Sequence, residues 1–517
     1  MNHTASSEAR NAELGPAKIF RFPVAKREGE IAPAAFTGSG RRVLFVTPEM
    51  SDFVQAGGLG SVSASLPRAL RDHCDLRVLL PGYRQVLTNA QDLSIVAELP
   101  AEAGLPACRV ALTTTQDGLR IFVLLCDELF DREGGPYAEA SGEEYSDNDV
   151  RFARLSLAAA EIASRGIGGW TPDCLHLNDW PTALTAGYLA WRGIATPSLL
   201  TIHNLAHQGL FEPARMEALA IPNSAFTIDG VEFHGKISFL KAGLNHASHL
   251  TTVSAAYAEQ VTTREHGCGL DGLLHQRAMR GELTGILNGI EDTWDPRLDE
   301  RCPYLFDVPH WKGRYADYIR GAFRLSLSRA PLFAMISRLV HQKGVDLVLE
   351  ASETIVALGA QLIVIGHGEP RYEREFAALA AHRPDAVAVR SGYDPEVARA
   401  FFAASDFLLM PSRFEPCGLS QMYAMRFGSL PVVHRTGGLG ETVKDGKTGF
   451  VFDAPTRDGL TAAVRRAAAA YADSSKLAAM RREAMSTRFT WRASARSYAS
   501  LYRNLAAQTV QAERSRA

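Results

Sequence analysis

The sequence has few cysteines, and their spacing excludes two classes of protein. Only seven occur in 517 residues, no two form a C-x-x-C pair, and none lies in a cluster with histidine. Disulfide frameworks and structural zinc sites both need paired or clustered cysteines. We therefore expect neither, and a reducing cytoplasm is the simplest location.

Long apolar runs and a surplus of charge are also missing. No stretch approaches the ~20 apolar residues of a membrane-spanning helix, and the N-terminus lacks the apolar core of a signal peptide. The formal net charge is -2, which provides no general attraction to nucleic acid or to an anionic membrane. We expect neither as a partner, so any polyanion must bind at a local site.

The sequence does contain a regular alternation of short apolar runs with segments of helical length. The 46% hydrophobic and 22% charged residues are typical of a globular chain, and 517 residues suggest two or three domains. Nearly continuous apolar runs predict strands that are buried on both faces, as in parallel, doubly wound α/β sheets. The predicted strands are 43–47, 76–80, 121–125, 174–177, 198–202, 250–253, 285–287, 332–336, 362–365, 386–389, 407–410, 430–433 and 450–452.

This alternation is interrupted between residues 291 and 329, where prolines, aromatics and charges are mixed. We predict an N-terminal Rossmann-like domain, a linker, a C-terminal Rossmann-like domain and a closing helix, with a tail at each end. Two such domains in series predict a ligand cleft between the carboxyl ends of their strands. The predicted bounds are 1–40, 41–290, 291–329, 330–488, 489–508 and 509–517.

Two glycine loops follow predicted strands, one in each half of the chain. The first, QAGGLGSV, leads into a helix that we expect to begin near residues 61–65, and Gly57 and Gly58 allow the backbone to approach a diphosphate. A single GGLG is as often a plain turn. The second, RTGGLGET, predicts a similar backbone cradle in the other domain, formed by Thr436, Gly437, Gly438 and Leu439.

Charged and polar residues follow other strands of the C-terminal half. Arg338 and Lys343 come after the strand at 332–336, where two cations can neutralise a pyrophosphate without a metal; alternatively they are solvated surface charges. Glu415, Cys417 and Gly418 come after the strand at 407–410, where a carboxylate and helix-start amides can bind hydroxyl groups. A helix cap and a small packed residue are the structural alternatives for Glu415 and Cys417.

The N-terminal half has polar residues at corresponding positions. Asp179 follows one strand, and His203 with Asn204 follows the next, so we expect a site at this sheet edge. A metal site is a poor interpretation, because no third ligand has suitable spacing. Asn288, in the turn LNG, is a weaker candidate.

Together these motifs resemble the bacterial glycogen synthase and plant starch synthase family. The matching segments occur in family order between residues 42 and 505, and include HLNDWPTALTAGYL, TIHNLAHQGLF, GILNGIEDTWDP, SRLVHQKGVDLVLEA and MPSRFEPCGLSQMYAM. The resemblance implies a retaining glycosyltransferase of GT-B architecture whose last helix returns to the first domain. It further implies transfer of glucose from ADP-glucose to the non-reducing 4-hydroxyl group of an α-1,4-glucan, with no metal or other cofactor.

The resemblance also implies roles for matching residues. Arg338 and Lys343 would hold the diphosphate, His203 would contact the glucose, and Asp179 would support the acceptor side. Glu415 and the turn at 417–418 would bind glucose hydroxyls, and residues 436–439 would lie against the diphosphate. The remaining expected donor-binding residues are Gln55, Gly57, Gly58, Asn204, Asn288 and Leu419.

One position departs from the family pattern. The first loop of the family usually reads Lys-Thr-Gly-Gly-Leu, whereas this chain has Gln55 in place of the lysine. Loss of that cation would weaken donor binding by ~1–3 kcal/mol. Two alternatives stay open: a related GT-B glucosyltransferase with another acceptor, and a glucan-binding regulatory paralogue with weak or no turnover.

Overall fold

The structure, a computed structural model, describes residues 40–297, 311–392 and 395–516. The tail predicted at 1–40 therefore lies outside the described residues, except for Gly40. Among the described residues, no helix combines the length and apolar character that crossing a membrane requires.

The N-terminal half is built around a nine-stranded sheet with strand order β12-β11-β7-β6-β1-β2-β5-β4-β3. All neighbouring strands are parallel except β3, β4 and β5, which pair antiparallel at one edge. A small antiparallel sheet, β8-β10-β9, lies beside it. The strands are β1 (Arg41–Val46), β2 (Cys74–Pro81), β3 (Ser94–Leu99), β4 (Cys108–Thr114), β5 (Arg120–Leu125), β6 (Cys174–Asn178), β7 (Ser198–Ile202), β8 (Leu210–Phe211), β9 (Glu232–Phe233), β10 (Lys236–Ser238), β11 (His249–Thr252) and β12 (Leu283–Gly285).

The C-terminal half contains a second sheet of six parallel strands, in the order β15-β14-β13-β16-β17-β18. Helices cover both sheets, and the central strands are buried along their whole length, as nearly continuous apolar runs predict. These strands are β13 (Leu332–Ile336), β14 (Gln361–Gly366), β15 (Val387–Ser391), β16 (Phe407–Met410), β17 (Leu430–His434) and β18 (Phe450–Phe452).

The helices connect successive strands and close the chain. Those before the linker are α1 (Gly58–Leu70), α2 (Arg84–Asn89), α3 (Asp127–Phe130), α4 (Asn148–Arg165), α5 (Trp180–Trp191), α6 (Phe239–His246), α7 (Ala255–Gln260) and α8 (Asp271–Met279). The later ones are α9 (Trp311–Ala322), α10 (Val345–Ala357), α11 (Pro370–His382), α12 (Pro395–Ala404), α13 (Ser420–Arg426), α14 (Gly437–Thr442), α15 (Arg457–Ala472), α16 (Ser474–Ser486) and α17 (Trp491–Arg516). Short 3₁₀ turns occur at Pro213–Arg215, Asn223–Ala225 and His341–Lys343.

The sequence prediction missed the edge hairpin formed by β3 and β4. In β4 the burial alternates between the two faces, and most of β3 is partly or fully exposed. Such strands carry alternating polar residues, so a search for continuous apolar runs passes over them.

Three further segments differ from expectation. The first helix begins at Gly58 and not near residues 61–65, because Gly57 already serves as its N-cap. The predicted linker contains α9, whose Lys312 is buried and donates to three helix-end carbonyls, of Phe402, Ala403 and Phe427. The last helix continues to Arg516, through residues that we expected to form a tail.

The chain passes between the two halves twice, and the two passages lie side by side. The amide of Ile290 donates to the carbonyl of Phe489 at 2.9 Å, and Ile290 pairs with Thr490 in a parallel bridge. Beyond the second passage, α17 packs against α1 and β6, where the hydroxyl of Tyr502 lies 2.6 Å from Nδ1 of His176. The final helix thus contacts the N-terminal half.

Candidate active site

The first glycine loop is exposed, and a buried glutamate holds it in place. Gly57 and Gly58 are exposed, whereas Glu49, just after β1, is 2% exposed. The Glu49 carboxylate accepts hydrogen bonds from the amides of Ala56 at 2.5 Å and Gly57 at 3.0 Å. The loop is therefore fixed from its inner side while its glycine backbone faces outward.

Glu49 and its neighbour Tyr137 are site residues that the sequence analysis did not select. The Tyr137 hydroxyl donates to Glu49 at 3.4 Å. Burial raises the pKa of Glu49, and the amides of Ala56 and Gly57 oppose that rise. Both residues lie in segments, PEM and DREGGPY, that follow predicted strands, and this position was the available signal.

The side chain of Gln55 folds back on its own loop. Its Nε2 donates to the carbonyl of Gly57 at 2.9 Å and to the hydroxyl of Ser61 at 3.1 Å. The residue is exposed. Gln55 therefore bridges the loop to the first turn of α1, and it brings no positive charge to this surface.

Asp179 and His203 come together at neighbouring strand ends, through the backbone. Asp179 has a positive φ of 57°, and its carboxylate accepts from the amides of His203 at 2.8 Å and Asn204 at 3.3 Å. Burial raises the pKa of Asp179 to about 7. The direct effect of Asp179 is to hold the loop that carries His203 and Asn204.

The imidazole of His203 is oriented by Asn178, which the sequence analysis also did not select. Nε2 of His203 lies 3.0 Å from Oδ1 of Asn178, whose Nδ2 donates to the carbonyl of Val46 at 2.9 Å. Since an amide oxygen can only accept, Nε2 carries the proton and Nδ1 is left as an acceptor. Burial lowers the pKa of His203 to about 3, so the ring is neutral at pH 7.

In the C-terminal half, Lys343 and Glu415 form an ion pair. The Nζ of Lys343 lies 2.5 Å from Oε2 of Glu415, which also accepts from the hydroxyl of Ser412 at 3.0 Å. Lys343 and Glu415 follow different strands, β13 and β16, which are neighbours in the sheet. The sheet order therefore brings together two residues 72 positions apart in the chain.

Arg338 is the more accessible of the two predicted cations. Its guanidinium is exposed and has no ion-pair partner within the described ranges. Burial, and next the charge of Arg338, lower the pKa of His207 in the N-terminal half. The charge of Arg338 thus acts on His207 in the segment after β7, in the other half of the chain.

The turn before α13 makes contacts across the cleft. Burial raises the pKa of the Cys417 thiol to about 12, and the backbone and side chain of Asn288 in the N-terminal half oppose that rise. Oδ1 of Asn288 is buried and has no partner among the described residues. Gly418 has a φ of 70°, and a Cβ on Gly58 would lie 4.0 Å from Cδ1 of Leu419.

The second glycine loop differs from the first. Gly437 and Gly438 are buried, and a Cβ on either would lie about 2 Å from the carbonyl oxygen of Glu415 or Cys417, so only glycine fits there. The amide of Gly437 donates to Oε1 of Gln260 at 3.0 Å, and that of Gly438 to Glu415 O at 3.2 Å. In this arrangement the loop supports the turn at 415–417, and it does not expose a backbone cradle like that of Gly57 and Gly58.

The two halves are in direct contact around the predicted site. The hydroxyl of Ser254 donates to the carbonyl of Pro416 at 2.6 Å, and Glu291 accepts from Ser65 at 2.9 Å and Tyr423 at 3.2 Å. No group of three or more His, Cys, Asp or Glu residues that could hold a metal occurs in the described part of the chain.

Two family models match the chain. The Starch synthase catalytic domain model matches residues 42–276, and the Glycosyl transferases group 1 model matches residues 323–485. Glycogen synthase 1 of Bradyrhizobium diazoefficiens is 52% identical over 461 residues, which cover 89% of this chain and all of that protein. Glycogen synthase of Pseudomonas syringae is 50% identical over 473 residues, covering 91% of this chain and 98% of that protein.

Solved structures agree with these matches. The catalytic domain of starch synthase IV from Arabidopsis thaliana, bound to ADP and acarbose, superimposes with a TM-score of 0.78 at 30% identity, covering 91% of this chain and 100% of that one. Sucrose-phosphate synthase from Thermosynechococcus elongatus, at 17% identity and a TM-score of 0.56, shares the fold over 90% of this chain and 100% of its own. The predicted GT-B architecture of two facing α/β domains is confirmed.

Proposed function

Because the chain belongs to the bacterial glycogen synthase and plant starch synthase family, we propose that it elongates α-1,4-glucans with glucose from ADP-glucose. It is a glycosyltransferase of glycogen synthesis. The proposal concerns the donor nucleotide, the non-reducing 4-hydroxyl group as acceptor, retention of configuration and the residues that carry the reaction. One observation supports it most: the N-terminal half carries an exposed glycine loop and the neutral His203, and the charge of Arg338 in the C-terminal half acts on His207, four residues after His203.

The donor diphosphate would lie between α1 and the cations that follow β13. The first amides of a helix lack intrahelical acceptors, and Gly58 and Leu59 provide such amides beside the exposed loop. Arg338 has no competing ion pair with another described residue, so its guanidinium is available to bind two phosphate oxygens. Lys343 would share its proton donors between Glu415 and the phosphate.

The donor glucose would lie against the residues of the 417–419 turn and the neutral His203. Nδ1 of His203 can accept a hydrogen bond from a sugar hydroxyl, since Asn178 holds the proton at Nε2. Oδ1 of Asn288, which is buried and has no hydrogen-bond partner in the described part of the chain, can accept another. A polar group that is buried without a partner is costly, and a bound hydroxyl would satisfy it.

Transfer would proceed on one face of the sugar. The bond between the anomeric carbon and the phosphate oxygen breaks, the acceptor oxygen bonds to that carbon, and the acceptor proton passes to the departing phosphate oxygen. Arg338 and Lys343 would stabilise the charge that develops on the leaving ADP. No metal or other cofactor is required in this scheme, because the two cations provide the neutralisation.

A donor and acceptor comparison tests the proposal. Purified protein should incorporate labelled glucose from ADP-glucose into glycogen, with the label released by an exo-acting α-1,4-glucosidase, and EDTA should leave the rate unchanged. Arg338→Ala should lower kcat/KM at least 100-fold, whereas Arg374→Ala, an exposed arginine in the same half, should not change it. No incorporation from either ADP-glucose or UDP-glucose would contradict the proposal. Incorporation only into a different acceptor would favour the related transferase.

A further inference from the structure

A cluster of arginines surrounds a small cavity beside the two passages that connect the halves. The cavity, about 280 Å³, is lined by residues of the first passage, of α13 and of the segment from α16 to α17. We call it the hinge arginine cluster. Its members are Arg297, Arg426, Arg482 and Arg488, together with Asp295, Met485 and Ser486.

One carboxylate, that of Asp295, faces three of the four guanidinium groups in this cluster. Asp295 is 4% exposed, and Arg297 binds it at 2.9 and 2.5 Å. Arg426 also donates to Oδ2 of Asp295, and Arg488 is 3.9 Å from the same oxygen. Within the described ranges Arg482 has no ion-pair partner, so the cluster carries a formal excess of positive charge.

The pKa of the buried Arg426 is lowered, in part by other arginines of the cluster. Its side chain is 9% exposed, and burial lowers its pKa, while the charge of Asp295 opposes the fall. The charges of Arg488 and Arg297 lower it further, and Asp292 opposes them. Positive charges that repel one another around a cavity are stabilised by an anion that enters it.

We propose that the hinge arginine cluster is a binding site for a phosphate group, separate from the donor cleft. Guanidinium groups bind phosphate through paired, parallel hydrogen bonds, and two or more of them match a dianion. Arg482 and Arg488 are exposed at the rim of the cavity and have donors to spare. Arg426 and Arg297 are both bound to Asp295, and of these two Arg426 is buried whereas Arg297 is exposed.

The position of the site gives the binding a structural consequence. Arg297 belongs to the first passage and Arg488 to the second, while Arg426 ends α13 in the C-terminal half. A bound phosphate would therefore join both passages to the C-terminal half. Since the site exists in the arrangement where Ser254 contacts Pro416, phosphate binding would stabilise that arrangement.

Calorimetric titration with inorganic phosphate tests the proposal on the full chain. The titration is done at constant ionic strength in NaCl, with and without saturating ADP, so that binding in the donor cleft is separated. We expect saturable binding that persists with ADP and weakens at least tenfold in the double variant Arg482→Gln, Arg488→Gln. The matched control, Arg374→Gln with Arg465→Gln, removes two exposed arginines elsewhere in the same half and should bind as the parent does. Glycerol 3-phosphate in a parallel titration distinguishes a free phosphate from one carried by a metabolite.

A second readout locates the effect. Phosphate should slow amide hydrogen exchange in residues 289–297 and 485–491 of the parent chain and not in the Arg482/Arg488 double variant. The proposal is overturned if phosphate binding disappears when ADP is present, if it is unchanged in that double variant, or if chloride alone produces the same protection. In the absence of added phosphate, the rate of glucosyl transfer should be the same in the parent chain and in the Arg482/Arg488 double variant. The phosphate-binding result therefore does not depend on the proposed donor and acceptor.

Discussion

Replacement of Gln55 by lysine should strengthen donor binding, and the structure allows the size of the effect to be worked out. Gln55 is exposed on the glycine loop and has no charge, and its Nε2 donates to the carbonyl of Gly57 and to the hydroxyl of Ser61. A lysine there would put an ammonium group beside the proposed diphosphate site. Two unit charges about 5 Å apart attract by about 0.8 kcal/mol at the dielectric constant of water and about 3 kcal/mol at an effective value of 20.

The substitution also removes two hydrogen bonds. Both involve exposed groups, which water can satisfy, so their loss costs less than about 1 kcal/mol in total. At the effective dielectric constant of 20 the net change favours the donor by about 2 kcal/mol, and we expect its KM to fall about 10-fold to 50-fold with kcat changed less than about twofold. Raising the ionic strength should reduce the difference, because salt screens an exposed charge.

The assay is the initial rate of ADP release at saturating glycogen over a range of ADP-glucose concentrations. Gln55→Met is the matched control, since it removes the hydrogen bonds at similar length without adding charge, and its donor KM should stay within about threefold of the parent. The reasoning is refuted if Gln55→Lys leaves the KM within twofold, or if Gln55→Met lowers it as much. An inactive parent chain that Gln55→Lys activates would instead support the regulatory paralogue.

Three other predictions concern residues that hold the site or the fold. Asn178→Ala should lower kcat/KM about 10- to 100-fold, because Nε2 of His203 loses its acceptor. Steady-state rates of the variant and the parent test this, and a decrease of less than threefold would argue against orientation of His203 by Asn178. The pKa of Asp179 is raised to about 7 in the folded protein, so the folded state binds this proton more tightly than the unfolded state does. The free energy of unfolding should therefore decrease as pH rises from about 4 to 7, by up to about 4 kcal/mol from this group. Asp179→Asn keeps an acceptor for the His203 amide and should flatten the slope of unfolding free energy against pH in urea titrations, whereas an unchanged slope would refute the shift. Lys312→Met leaves three buried carbonyls without their donor and should lower the free energy of unfolding by about 2–4 kcal/mol at unchanged donor KM; an unchanged urea midpoint would contradict this.

Much of the fold could be predicted because buried parallel strands are nearly continuous apolar runs. The strands Ser198–Ile202, Leu332–Ile336, Phe407–Met410 and Phe450–Phe452 have the bounds predicted from the sequence. The β3–β4 hairpin could not be found in this way, since one of its faces is solvated. The helix Trp311–Ala322 lies among prolines and mixed charges, and its buried Lys312 donates hydrogen bonds to three helix-end carbonyls that are distant in the sequence.

The candidate site could be predicted in its members but not in its contacts. Residues that follow parallel strands must gather at one sheet edge, so Asp179, His203, Lys343 and Glu415 could be selected from position alone. The pairing of Lys343 with Glu415 depends on β13 and β16 being neighbours, which a linear sequence does not reveal. Asn178 is the last residue of its strand, and its polar side chain could have been read as a contact for the neighbouring His203.

The two glycine loops separate what the sequence determined from what the tertiary structure decided. The sequence by itself determined two α/β domains, the glycosyltransferase family and the absence of a lysine at position 55. Only the tertiary structure decided that Gly57 and Gly58 are exposed, while the same four letters around Gly437 and Gly438 are buried against Glu415 and Cys417. Glycine permits both outcomes because it has no side chain, and the choice depends on which backbone the fold brings alongside. The hinge arginine cluster depends on tertiary structure in the same way, since its four arginines lie on three separate segments of the chain.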